Sequence, residues 1–221
     1  MVSIYESKIS IRIFRNCLSR HDRFGSGAMA QNLFQGHVGF SLLVNSLSTG
    51  AGLFVLIQCL GPISGAHMNP VVSFVELLWG QLEKKFFSLY IVAQMSGAYL
   101  GVILTHSMFN LPIFEISNID RSGPHLLISE VIATFGLICT IALAGRKHVE
   151  FASISVAAYI TSAYWFTSST SFANPAVTFA RMFTNSFGGM ASSHFLHFII
   201  AQFLGGVGGW LLIRSASMDS A

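Results

Sequence analysis

Asn69-Pro70-Val71-Val72-Ser73-Phe74 returns later in the chain as Asn174-Pro175-Ala176-Val177-Thr178-Phe179, identical at four positions and conservative at the other two. Proline fits the first position of a helix, where its missing N–H has no intrahelical partner, and asparagine just before it is a strong N-cap. A single such pair marks an ordinary helix start. The duplication marks more, because Ala93-Gln94-x-x-Gly97-x-x-x-Gly101 also recurs as Ala201-Gln202-x-x-Gly205-x-x-x-Gly209. The chain is a duplicated unit in which a small-residue ridge follows each short helix.

With 10% charged and 52% hydrophobic residues among 221, and a mean hydropathy of +0.63, the chain has too little polar surface for a soluble globule. Acids and bases are missing from 24–75, 86–114, 131–145, 151–180 and 182–213. These gaps predict five spans, near 36–60, 86–109, 125–144, 151–168 and 193–213. The two Asn-Pro segments, 69–79 and 174–183, are too short to cross. Three spans separate them, an odd number, so the second repeat is inverted relative to the first. The expected fold class is an all-α membrane protein: an inverted repeat of five full transmembrane helices plus two half-helices meeting at the midplane.

Half-helices entering from opposite faces bring their N-terminal partial positive charges and two amide donors to one place. Cations and protons meet a barrier there. A neutral molecule with an oxygen acceptor exchanges hydrogen bonds with Asn69 and Asn174 between apolar walls. The expected activity is passive permeation of water and small neutral solutes.

The stretches Ser64-Gly65-Ala66-His67-Met68-Asn69-Pro70 and Ser171-Phe172-Ala173-Asn174-Pro175-Ala176 resemble the loops of the aquaporin and glycerol-facilitator family, and Gly25-Ser26-Gly27-Ala28-Met29 resembles the end of the first span in bacterial members. The resemblance implies six spans plus two half-helices, a homotetramer with one pore per subunit, and a place in a bacterial cytoplasmic membrane. It assigns pore motifs to Asn69, Pro70, Val71, Asn174, Pro175 and Ala176. It places His67 beside the pore and gives Glu130 the structural task of holding the second Asn-Pro loop. Glu130 is also the one acid well inside an expected span, where it needs protein donors.

Three departures matter. Val71 stands where the family usually has Ala. Val177 stands where water-selective members carry Arg, and counting places the rest of the filter at Thr49, Ser162 (or Ala163) and Ser171. All are small and uncharged, which predicts a wide filter admitting glycerol-like polyols, urea or uncharged metalloid acids such as arsenite. Arg181 and its repeat counterpart Glu76 fall one turn further out, at the mouths. The third departure is the first span: residues 1–24 form a basic segment in its place, followed by a channel domain at 25–213 and a tail at 214–221. One wall is therefore expected to be missing. A shortened or frame-damaged reading frame, a five-span variant closed by a neighbouring subunit, and an N-terminal segment lying in the interface all account for this.

The alternatives are a truncated, non-conducting relative, a secondary transporter, and a membrane enzyme. An enzyme needs acids, bases or metal ligands converging at one depth, whereas the spans offer Glu130 and scattered histidines. His194 and His197 have ligand-like spacing without a third ligand. Three isolated cysteines, Cys17, Cys59 and Cys139, form no framework. A net charge of +3 with no basic-aromatic helix face argues against nucleic acid. No cofactor, metal or catalytic residue is expected; the partners are the solutes, lipid and further copies of the chain.

Overall fold

The computed structural model describes residues 2–65, 67–145 and 149–218; Ala66 of the first loop, the basic pair Arg146-Lys147 and the end of the tail lie outside them. The described residues form α1 (Val2–Leu33), α2 (Val38–Ser64), α3 (Pro70–Leu78), α4 (Lys84–Met108), α5 (Pro124–Gly145), α6 (Val149–Phe166), α7 (Pro175–Ala180) and α8 (Phe195–Met218), with 3-10 turns at Arg181–Phe183 and Ser192–His194. They contain no strand. Among the described residues, four stretches are long and apolar enough to cross a membrane: Val38–Pro62, Lys84–Met108, Pro124–Gly145 and Ser192–Ala216. The fifth expected span is α6, whose apolar part, Phe151–Phe166, is shorter.

Both half-helices begin as the sequence dictates. Asn69 caps α3 by accepting from the Val71 N–H, and Asn174 caps α7 by accepting from those of Ala176 and Val177, each with Pro at the first position. Both lie against the same two helices, α4 and α8. The duplicated glycines lie where those helices meet their partners. A Cβ on Gly97 would lie 2.6 Å from the Ile13 carbonyl oxygen of α1, and one on Gly205 would lie 2.2 Å from that of Val131 on α5. The pairs α1–α4 and α5–α8 are thus repeat equivalents, each closed by a glycine that lets two backbones touch.

Where one wall was expected to be missing, residues Val2–Leu33 form one helix, α1, which packs along α2 and α4. Its Phe24 is buried with Ala98, Val102, Ala176 and Ala180, against the second half-helix. The segment reads as basic and interrupted because two of its charges point inward. Arg15 and Arg23 are both buried and donate to loop carbonyls, the partners an intramembrane charge requires.

Substituting Gly205 with Leu forces the α5–α8 contact apart. We expect a loss of about 1–3 kcal/mol of stability, typical of overpacking, read as a lower melting temperature in detergent, with Gly208→Leu as the milder control.

Candidate functional site

The two half-helix tips are tied by a reciprocal pair of hydrogen bonds. Asn69 Nδ2 donates to the Ala173 carbonyl at 2.7 Å, and Asn174 Nδ2 donates to the Met68 carbonyl at 2.9 Å. Each amide thus caps its own helix through Oδ1 and braces the opposite loop through one N–H. A primary amide has two N–H donors, so one per asparagine remains for the cavity that both side chains line.

That cavity, about 310 Å³, is lined by Glu76, Ala152, His67, Asn69, Asn174, Thr49, Arg23 and Phe172, and Leu53, Ile57, Leu137, Val156 and Ile160 supply apolar wall. Thr49 is buried, its hydroxyl 3.1 Å from that of Tyr164.

Each loop has its own support. Glu130 is fully buried. Its Oε1 accepts from Ser169 Oγ at 2.6 Å and the Phe172 N–H at 2.8 Å; its Oε2 accepts from the Ala173 N–H at 2.8 Å and Gln202 Nε2 at 2.6 Å. Four donors occupy the carboxylate. They also hold a strained backbone, since Thr170, Ser171 and Ala173 have φ of 60°, 48° and 47°, a left-handed region that side chains disfavour. In the first loop the polarity is reversed: Arg15 Nη2 and Gln94 Nε2 both donate to the His67 carbonyl, at 2.8 and 2.7 Å. Gln94 and Gln202 play matched parts, bonding Ser73 Oγ and Thr178 Oγ1 at 2.8 Å each.

Val71 is accommodated in kind. A Cβ on Gly206 would lie 2.2 Å from a Val71 methyl, whereas the repeat-equivalent pair is Ala98 with Ala176 in one buried cluster. The extra bulk on the half-helix is matched by a glycine on α8.

The expected filter positions separate. Thr49 lines the cavity. Val177 is fully buried in an apolar cluster with Leu126, Phe172, Met190 and Phe198, off the cavity wall. Ser171 is buried in the second loop, and Ser162 lies exposed on the outward face of α6, where Ala163 and Tyr164 face inward. A helix turns 100° per residue, so an uncertainty of one in the count moves a side chain off the pore. Arg181, expected at a mouth, folds back instead: it is buried, 3.9 Å from the Phe172 ring centroid, and donates to the Gly188 carbonyl. Arg121, from the α4–α5 loop, lies 5.1 Å from the same ring and donates to the Gly189 and Phe187 carbonyls. Burial lowers the Arg121 pKa, the Glu130 carboxylate opposes that, and the Arg23 guanidinium adds to it. His194 Nε2 lies 2.7 Å from Asp120 Oδ1, and no metal-binding group of three ligands occurs among the described residues.

Residues 23–164 match the major intrinsic protein family, and the chain is 47% identical over 190 residues to the aquaglyceroporin AqpS of Rhizobium meliloti (strain 1021), covering 86% of this chain and 81% of that one. The chain belongs to the major intrinsic protein family. It is an integral membrane protein of a family of channels, not an enzyme. A second relative, the glycerol uptake facilitator protein of Pseudomonas aeruginosa, is 31% identical over 116 residues, 51% of this chain and 41% of that one. In fold, this family member is similar to the X-ray structure of the aquaglyceroporin from Plasmodium falciparum, with a TM-score of 0.71 at 20% identity over 95% and 94% of the two chains. That coverage is too large for α1 to lie outside the likeness.

Two outcomes follow from this geometry. Glu130→Leu leaves the Phe172 and Ala173 N–H groups buried without acceptors, at about 1–3 kcal/mol each; we expect it to destabilise the protein strongly, read as loss of folded material on size exclusion. Gly206→Ala alone should lower the melting temperature by crowding Val71, and Val71→Ala added to it should restore most of the loss, because the pair then copies Ala98 and Ala176.

Proposed function

We propose that this chain is a passive channel for water and small neutral solutes, with glycerol-like polyols, urea and undissociated metalloid acids such as arsenite as the solute class, working as a homotetramer with one pore per subunit. The observation that carries this reading is the crossed amide pair within an apolar-walled cavity. A solute crossing it finds the second N–H of Asn69 and of Asn174 as hydrogen-bond donors in the middle. The apolar walls offer no competing partners, so the solute is oriented and released without a deep trap.

The small lining supports the larger members of that class: Thr49 is a small side chain on the cavity wall, and Val177 is withdrawn into its apolar cluster. The names of the relatives, two aquaglyceroporins and a glycerol uptake facilitator, point the same way.

Stopped-flow light scattering on proteoliposomes tests this. We expect osmotic shrinkage and glycerol uptake faster than in empty vesicles, and Thr49→Trp to reduce glycerol uptake more than water flow by filling the cavity. Glycerol and water rates equal to empty vesicles despite confirmed insertion would contradict the reading.

A further inference from the structure

The position three residues after the second Asn, which the family fills with arginine in water-selective members, is Val177, and its side chain is off the cavity wall. A guanidinium reaches the cavity from another element. Arg23 of α1 lines the cavity with Thr49 and Phe172 and is only 5% exposed. Its Nη2 donates to the Ser171 carbonyl at 2.8 Å and the Thr170 carbonyl at 3.4 Å, and its Cζ lies 4.8 Å from the Tyr164 ring centroid.

Its Nε is buried without a hydrogen-bond partner, and its charge is uncompensated. Among the described residues no carboxylate forms an ion pair with Arg23, and the oxygens of Glu130 are taken by other donors. Behind Phe172, Arg121 and Arg181 add two more positive charges.

We propose that Arg23 is the filter cation of this pore, supplied by the first helix. The inference rests on the channel reading above. A cation hung from α1 leaves the second half-helix lined by packed apolar side chains, so the filter keeps a charge that repels cations without an arginine crossing its width.

The test uses full-length chain in proteoliposomes loaded with a pH-sensitive dye, with water flow, glycerol uptake and proton or sodium leak read on the same preparation. Arg23→Met should raise the cation leak by about tenfold or more, because the barrier it removes is electrostatic, while shrinkage stays faster than in empty vesicles; Arg23→Lys should stay tight. As a check independent of folding, Arg23→Cys is placed in a chain with Cys17, Cys59 and Cys139 changed to Ser. The cationic reagent 2-aminoethyl methanethiosulfonate should then restore tightness, and neutral methyl methanethiosulfonate should not. Water-conducting Arg23→Met and Arg23→Cys chains that still exclude cations, or equal effects of the two reagents, would overturn the proposal. A parent chain that passes no water would overturn the channel reading and this proposal with it.

Discussion

Two side-chain amides that cross between the half-helix tips hold this structure's centre. Asn69 and Asn174 each cap one helix and donate to the loop of the other, so neither loop is positioned without its counterpart. Non-helical backbone inside an apolar bundle is tolerated only where its polar groups are satisfied or line a cavity. The surrounding network follows from that constraint: Glu130 and Gln202 on one loop, Arg15 and Gln94 on the other, and Arg23 reaching the second loop from α1.

The two halves obey one plan and differ where their sequences differ. One loop is held by a carboxylate that accepts from backbone N–H groups; the other has a carbonyl held by a guanidinium that donates. Charge and bond direction are inverted together, so α1 can lack an acid equivalent to Glu130 and still anchor its loop. The same compensation appears in size: valine on one half-helix meets glycine on α8, and alanine on the other meets alanine on α4.

Most of the fold was legible in the sequence because its signals are local or periodic. The Asn-Pro pairs mark caps, charge-free gaps mark spans, and the Gln-x-x-Gly repeats mark close helix contacts. Glu130 stood out as a lone acid in an apolar run. What sequence reading missed was α1, because a helix that turns arginines inward toward loop carbonyls carries the composition of a surface segment. Arg15 and Arg23 lie eight residues apart, within one side of a helix, and that spacing was the available clue. Of the expected filter positions, Thr49 lines the cavity, Ser162 points outward and Val177 lies in the packed interior, since which side of a helix faces the cavity depends on packing that counting from Asn174 does not fix.

The most direct measurement of the central claim is the temperature dependence of osmotic water flow in proteoliposomes. A continuous polar path through the crossed amides predicts a shallow Arrhenius slope, close to that of water diffusing in bulk, with a rate proportional to the amount of inserted protein. A slope as steep as that of protein-free lipid, at the same level of insertion, would contradict it.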